Sequence, residues 1–477
     1  MSTSGSGLVS GGTQLIAGTS YTSGQGINVS ATVSAVITAK RAPETNWQNQ
    51  QTAITNQITE LKSMQTEVNN LQTSFQNLSD FTGIFSAMSA TSSDTTLVSA
   101  NASSSAANGS YNIVVNSLAS TGVSYSNEQT SSTIASGALV FSIGGGAAQT
   151  INIPESTTGS GTTTLAAAAA YINTQNLGIS ASVITDSAGS RLVLSSVTSG
   201  SAASVSVQSA PGGLSFTNMA GTNATMTING IPITSSTNQV TSAISGVTLN
   251  LAGTTSSSGV TVQVGADTSQ ITTAIQSFIT SYNTVVTDLN GQFQYNANVA
   301  NGTASTANST DGVLQSDSTA RVLQQQLLSI ISVAGSDSSS SSINSLAAVG
   351  ISMGNDGTLS LNSTTLQNAL INNYSDVKTF FQSSGTSTFS QQFNTMMLNL
   401  TNPADGAIAL DIGGLQSNYT ALQKNISDLE TQLTDLQTTL TNQYAALNTA
   451  LQMYPSTLLQ IDTLLGYRAT TNSSSGS

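Results

Sequence analysis

The feature that most constrains the fold is a long apolar seam near the end of the chain. Between residues 419 and 440, apolar or aromatic side chains recur at steps of four and three, which align them on one face of an α-helix. Such a face needs a partner, because apolar surface left in water costs about 25 cal/mol per Å². The seam consists of Tyr419, Leu422, Ile426, Leu429, Leu433, Leu436 and Leu440.

A second stripe with helical spacing lies near the beginning of the chain. Its members include Trp47, Ile54, Ile58, Leu61, Val68, Leu71 and Phe75. Two long helices with apolar faces, one near each end, are most simply buried against each other. The sequence therefore predicts an antiparallel helical or coiled-coil stalk made from both ends of the chain. A second interpretation pairs the terminal seam with that of another copy, since the few charges beside it specify its partner poorly.

The pattern between the two stripes is different. From residue 84 to residue 266, short runs alternate apolar and polar residues, and turn residues such as Asn229-Gly230 separate them. After Asp267, a candidate helix cap, helical spacing returns and predicts helices at about residues 317–333, 363–382 and 389–401. A hairpin around Asn355-Asp356-Gly357 interrupts these helices, and the helix that carries the terminal seam is predicted to end at Pro455. The predicted fold class is therefore α+β and multidomain, with β-rich head domains inserted into the helical stalk.

These patterns divide the chain into four predicted domains. Residues 1–43 with 445–477 form a terminal leg domain that is partly disordered in the free protein. Residues 44–83 with 267–444 form the helical stalk domain and its small hairpin. The β-rich region gives two head domains, residues 84–120 with 214–266 and residues 121–213.

The charge and composition of the chain exclude several kinds of partner. Eight basic residues against 21 acidic ones give a net charge of -13, so there is no basic footprint for a nucleic acid. No apolar run approaches the roughly 20 residues of a membrane span. The absence of Cys and His removes the side chains most used for nucleophilic catalysis and metal binding. We expect no nucleic-acid partner, no membrane span and no cofactor.

Short matches to catalytic motifs do not change this expectation. Residues 375–378 fit the Ser-x-x-Lys pattern of penicillin-binding enzymes, but the companion elements are missing. Residues 354–358 contain an acidic turn without the alternating ligands of a calcium loop. The sequence therefore predicts a protein that is not an enzyme.

The two terminal segments of the chain, which meet at one end of the predicted stalk, carry apolar residues that the stalk itself has least means to cover. An apolar end of this kind is typical of an interaction surface, and the alternative is a tail that folds back on its own stalk. We expect both segments to become ordered against a partner. They contain Ile27, Val29, Val33, Val36 and Ile37 at the first end, and Leu458, Leu459, Ile461, Leu464 and Leu465 at the second.

Several segments, in order along the chain, closely resemble the bacterial flagellar filament cap family, also called flagellar hook-associated protein 2. The segments are "GINVSATVSAVITAKRAP" (26–43), "GIFSAMSATSSDTTLVSANASSSAANGSYNIVVNSLAS" (83–120), "GVLQSDSTARVLQQQL" (312–327) and "INSLAAVGISMGNDGTLSLNSTTLQNALINNYSDVKTFF" (343–381). Residues 163–196 resemble a repeat motif that cap proteins share with some flagellins. The chain departs from the family at Asn28 and at Ala39-Lys40, which concerns the terminal contacts more than the fold.

The resemblance implies a filament cap at the distal end of the bacterial flagellum. Such a cap is a ring of identical copies, with a pentamer expected, and it retains exported flagellin and promotes its folding and insertion. The resemblance also implies contacts with flagellin, with the flagellar export apparatus and with an export chaperone. The expected location is extracellular, at the filament tip. The protein would reach it by type III export without a cleavable signal peptide, because residues 1–39 lack a basic start and an apolar run.

Two other functions stay open from the sequence. A hook-filament junction protein or a minor filament protein would share the paired terminal helices. A host-surface adhesin that binds mucin is a possible second role for residues 84–266.

Overall fold

The computed structural model describes residues 28–131, 133–156, 159–293, 312–333, 342–385 and 388–464. Helices occupy both ends of this described chain, and most strands lie between them, which confirms the predicted fold class. The helices of the described ranges are α1 (Val29–Lys40), α2 (Ala42–Ser79), α3 (Leu165–Thr174), α4 (Thr268–Gln292), α5 (Ser318–Ile330), α6 (Ser363–Asn372), α7 (Tyr374–Gln382), α8 (Phe389–Thr401) and α9 (Ala407–Leu464).

The strands are short, and most of them belong to antiparallel sheets in the middle of the chain. They are β1 (Met88–Ser92), β2 (Val98–Ala102), β3 (Gly109–Ser117), β4 (Thr121–Ser126), β5 (Thr133–Ala135), β6 (Gly137–Ile143), β7 (Gln149–Ile153), β8 (Thr162–Thr164), β9 (Ile179–Thr185), β10 (Ser190–Ser199), β11 (Val205–Ser209), β12 (Phe216–Met219), β13 (Ala224–Ile228), β14 (Ile231–Ser235), β15 (Gln239–Ile244), β16 (Val247–Leu251), β17 (Val260–Ala266), β18 (Ile351–Met353) and β19 (Leu359–Leu361).

The chain folds into two compact units. The first unit takes the described parts of residues 1–70, 284–327 and 395–477, and the second takes those of residues 71–283 and 328–394. The first unit is helical and contains α1, α9 and parts of α2, α4, α5 and α8. Its buried side chains include Leu61, Met64, Val68, Val285, Leu289, Leu323, Leu327, Met397, Leu400, Ile408 and Ile412.

The second unit contains a first β core built from two sheets. One sheet has the strand order β1-β17-β3-β13-β14, and the other has the order β15-β16-β2. The two-residue turn between β13 and β14 is the predicted Asn229-Gly230, and both residues have the positive φ angles that this hairpin turn requires. Fully buried members of the core include Val98, Ile113, Val115, Leu249 and Val262.

A second β core is inserted into the first along the chain. Its sheets have the orders β12-β4-β10-β9 and β11-β6-β7, and α3 packs on them. The chain enters and leaves this core at neighbouring points, because Ser120 pairs with Thr222. Leu214 is buried in the second core and β12 pairs with β4, so the predicted division between residues 213 and 214 differs from the packing.

A cluster of phenylalanines forms another core of the second unit. Phe75 of α2 lies at its centre, with ring centroids 5.6 Å from Phe278 and 4.3 Å from Phe393. Phe389 also packs edge-on against Phe75, and Phe380 stacks on Phe389. All five rings are fully buried, so the end of α2 is fixed by aromatic packing.

Two local predictions meet different outcomes in the second unit. The hairpin around Asn355-Asp356-Gly357 is confirmed, because β18 and β19 pair on either side of it. The single helix predicted over residues 363–382 is wrong. It is divided into α6 and α7 at Asn373, whose φ of -134° and ψ of 38° are not helical.

Candidate functional site

The apolar seam of α9 lies in the first unit and runs antiparallel to α1 and α2. Arg41, between α1 and α2, contacts Glu430 of α9. Further along α2, Thr52 and Thr55 line a groove together with Tyr419 of α9. Helix α9 therefore runs in the opposite direction to α1 and α2.

This register gives the seam two partners in succession. Beyond Glu430, the seam is covered by α1 and not by α2, because the residues that precede Arg41 lie beside those that follow Glu430. Val33 and Ile37 of α1 pack against Leu433 of α9, with exposed fractions of 3%, 8% and 4%. The other side chains of this cluster are half-buried: Val29, Leu429, Leu436, Leu440 and Tyr444.

The predicted stripes of α2 and α9 therefore do not pack against each other over their full lengths. In α2, Trp47, Ile54 and Ile58 are half-buried, whereas Leu61 and Val68 are fully buried in the first unit. Leu71 and Phe75 are buried in the second unit. In α9, the predicted residues Tyr419, Leu422 and Ile426 are half-buried. Half-burial is the expected state of apolar residues between two helices that have no third neighbour on that side.

A salt bridge fixes the register at the junction of α1 and α2. Both terminal nitrogens of Arg41 donate to the two carboxylate oxygens of Glu430, and Arg41 Nη1 also donates to Glu44 Oε2 at 2.8 Å. The hydrogen bond from Arg41, helped by its charge, holds the pKa of the Glu430 carboxyl below its ordinary value. A bidentate guanidinium-carboxylate pair has a preferred planar geometry, so it selects one alignment of the helices.

Replacing Arg41 tests this alignment. We expect Arg41→Ala to lower the thermal midpoint of the first unit slightly at low salt, because Glu430 loses its partner. The difference from the wild type should shrink at about 1 M salt, which screens exposed charges. Fluorescence of Trp47, the only tryptophan of the chain, reports on this unit.

The matched control is Lys424→Ala. Lys424 pairs with Asp428 four residues later on α9, so this exposed ion pair joins no two helices. The control should change the midpoint less than Arg41→Ala does. Equal effects of the two substitutions would contradict a role of Arg41 in setting the register.

Past Tyr444, the seam continues but has no cover among the described residues. Leu447, Leu451, Tyr454, Leu458 and Ile461 follow at steps of three and four, and all are exposed, Tyr454 by 64%. Leu459, Leu464 and Met453 add exposed apolar surface beside the seam. We call residues 447–464 the open end of α9. Because a continuous exposed apolar surface is typical of interaction sites, the open end is a candidate site for contact with another protein.

The structure thus separates the two groups of predicted contact residues. Val33 and Ile37 are already buried by α9, and Val29 and Val36 are half-buried. By contrast, Leu458, Leu459, Ile461 and Leu464 are exposed. Ile27 and Leu465 lie outside the described residues. The expectation that both segments become ordered only against a partner therefore differs from the structure for α1, which is helical and already packs on α9.

The open end also contains the one proline of α9. Helix α9 has 58 residues and continues through Pro455 to Leu464, whereas the sequence predicted that it ends at Pro455. Proline has no N–H, so the carbonyl of Leu451 lacks its usual helical donor. Pro455 therefore divides the open end at a weakened point of the helix.

The described residues offer little else as a functional site. No group of three or more Asp or Glu residues in the described ranges could hold a metal ion. Among the helices described, none is both long enough and apolar enough to cross a membrane. The residues of the Ser-x-x-Lys match begin α7, with Val377 buried between Ser375 and Lys378. The open end of α9 and the paired helices behind it are the best candidate site.

Comparisons with protein families agree with this organisation of the chain. A family model described as the flagellar hook-associated protein 2 N-terminus matches residues 25–122. A model described as the C-terminus of the same protein matches residues 221–456. A third model, the flagellin hook IN motif, matches residues 139–198, which lie in the second β core.

Comparisons with individual proteins give the same family. The B-type flagellar hook-associated protein 2 of Pseudomonas aeruginosa is 26% identical over 328 residues, which are 62% of this chain and 66% of that protein. The match thus spans slightly less than two-thirds of the relative's length. A crystal structure of the D1-D2-D3 domains of the flagellar cap protein FliD from Escherichia coli is similar with a TM-score of 0.51 and 25% identity. It covers 75% of this chain and 99% of that one.

Proposed function

Since the chain belongs to the flagellar hook-associated protein 2 family, we propose that it caps the distal end of the bacterial flagellar filament. In this role it retains exported flagellin and promotes its folding and insertion at the growing tip. The role is structural and requires no enzymatic step. The observation that carries the proposal is the match of both family models to the parts of the chain that form the helical unit and the first β core.

The open end of α9 is the proposed contact with flagellin. It presents five seam residues to solvent, and their apolar surface gains burial only when another helix or sheet covers it. A filament end offers such partners at a fixed position, while free monomers do not. The contact residues that we propose are Leu458, Leu459, Ile461 and Leu464, and the half-buried Val29 and Val36 add to them at the edge of α1.

The cap acts as a ring of identical copies, with a pentamer expected. A ring needs a head-to-tail interface that closes on itself. We propose that the two β cores form the plate of the ring and that α1 and the end of α9 form its legs. The leg comprises residues 1–43 with 445–477, and the stalk comprises residues 44–83 with 267–444. The chain is exported through the flagellar type III apparatus with a chaperone and acts outside the cell.

Complementation of a strain that lacks its filament cap tests the proposal. The expressed protein should restore full-length filaments, and labelled protein should lie only at filament ends in electron micrographs. Label along the filament would indicate a minor filament protein, and label at the base would indicate a junction protein. Either of these patterns would reject the cap function. Mass measurement of the isolated assembly gives the number of copies in the ring.

A further inference from the structure

Three carboxyl groups lie where α2 and α4 meet in the first unit. Glu60 and Glu67 lie seven residues apart, two turns along one face of α2, and Asp288 lies on α4. The side-chain amide of Gln292 joins the group, because its Nε2 donates to Glu60 Oε1 at 2.8 Å and lies 3.5 Å from Asp288 Oδ1. This concentration of acids is unusual in a chain with only 6% charged residues.

The charges around this group do not neutralise it. Burial and the nearby Asp288 raise the pKa of Glu60, and no base contributes to that shift. Lys62, the only base of α2, is exposed. Arg321 of α5 is engaged elsewhere, since it lies over the ring of Phe293 and donates to the carbonyl of Gln315. We call Glu60, Glu67 and Asp288 the acid cluster.

Two oxygens of the acid cluster lack a hydrogen-bond donor. Glu67 Oε2 and Asp288 Oδ2 are buried and have no partner among the described residues. A buried carboxylate oxygen without a donor is costly, and neighbouring carboxylates repel each other when both are ionised. A proton on one of the carboxyl groups removes both costs, because it supplies a donor and cancels a charge.

A second acid contact occurs elsewhere in the same unit. Asp411 of α9 lies close to Asp317, which caps the first turn of α5 through the N–H of Ala320. Burial raises the pKa of Asp411, a hydrogen bond from Thr319 opposes this, and the charge of Asp317 adds to the increase. Two separate helix contacts of the first unit thus bring acid against acid.

We propose that the first unit is a proton-dependent helical bundle, in which the contact between α2 and α4 tightens when the acid cluster binds a proton and loosens when it loses one. The device is independent of the capping role. It would make the helical unit respond to mild changes of pH around neutrality, while the β cores of the second unit have no such cluster in their described parts.

The direction of the effect follows from the shift of Glu67. Burial, together with the charges of Asp288 and Glu60, raises the pKa of Glu67 from 4.5 to about 7. A carboxyl whose pKa is higher in the folded state stabilises the fold below its unfolded value, and this stabilisation is lost as the pH rises through the folded value. The first unit should therefore lose stability between about pH 5 and about pH 8. The lowered pKa of Glu430 acts in the acidic range, below this window.

The test uses the full-length chain and the fluorescence of Trp47, which lies on α2 and reports on the first unit. The thermal midpoint of the wild type should fall by several degrees between about pH 5 and about pH 8. Glu67→Gln should reduce this fall and raise the midpoint at the higher pH. Asp288→Asn should also reduce the fall, but less than Glu67→Gln does, because burial, the main cause of the raised pKa of Glu67, remains. The matched control is Asp435→Asn, which removes an acid at an exposed position of α9 and should keep the wild-type fall.

Three results would overturn the proposal. The first is a wild-type midpoint that stays constant or rises over this pH range. The second is that Glu67→Gln and Asp288→Asn both keep the full wild-type fall. The third is that added Mg²⁺ restores the midpoint at the higher pH while EDTA lowers it, which would indicate a cation and not a proton as the neutralising group.

Discussion

Deletion of residues 456–477 is expected to leave both units folded and to abolish capping. The described part of this segment, residues 456–464, is exposed wherever its side chains are described, so the deletion removes no core residue that the structure describes. It does remove Leu458, Leu459, Ile461 and Leu464, which are the proposed contacts with flagellin. In a strain without its filament cap, the truncated protein should be exported but should not support full-length filaments.

Point substitutions test the apolar side chains of the open end without shortening α9. The pair Leu458→Ser and Ile461→Ser removes two seam residues of the open end, and it should impair filament growth strongly. The control is Ile371→Ser, an apolar residue of α6 that is 74% exposed and lies outside the open end. Circular dichroism should show unchanged folding for all of these variants. Full-length filaments from the truncated protein would reject the open end as the contact surface.

Phe75→Ala is expected to cause the largest loss of folding stability of any single substitution in the phenylalanine cluster. Phe75 is fully buried and touches the rings of Phe278, Phe389 and Phe393. Removal of a buried phenylalanine ring typically costs about 3–5 kcal/mol, from lost apolar burial and the cavity that remains. Denaturation in urea, followed by circular dichroism, should show this loss in the transition of the second unit.

Phe81→Ala is the matched control for this substitution. Phe81 follows α2 by two residues and is 63% exposed, so it loses the same atoms from a site that is mostly in water. We expect its transition to remain within about 0.5 kcal/mol of the wild type, as is usual for surface substitutions. A similar loss in both variants would show that the cluster does not hold the end of α2.

The sequence predicted the type of the elements better than it predicted their partners. The period of the seam in α9 and of the stripe in α2 identified both helices, and turn residues identified the hairpins at Asn229 and Asp356. Periodicity shows which face of a helix is apolar, but it does not show what covers that face. The cover of Leu433 by α1 depends on the register, which the contact between Arg41 and Glu430 sets only in three dimensions.

The candidate site was also only partly predictable, because the sequence does not show which residues tertiary packing brings together. The exposed residues at the end of α9 were expected from their position beyond the core of the stalk. Pro455 suggested a helix end, but the exposed helix tolerates the missing donor because water can bond to the free carbonyl. The acid cluster was not predicted, since Glu60 and Glu67 share a face of α2 while Asp288 joins them only through tertiary packing.

The neighbouring entry and exit of the second β core have an evolutionary consequence. Because Ser120 and Thr222 pair side by side, the whole segment between them can be exchanged, enlarged or lost while the strands on either side keep their positions. Related chains can then diversify this module freely, and an engineer can replace it with a foreign domain whose own termini lie close together. The display of a new protein on the cap would require only two junctions, and neither would fall within a core.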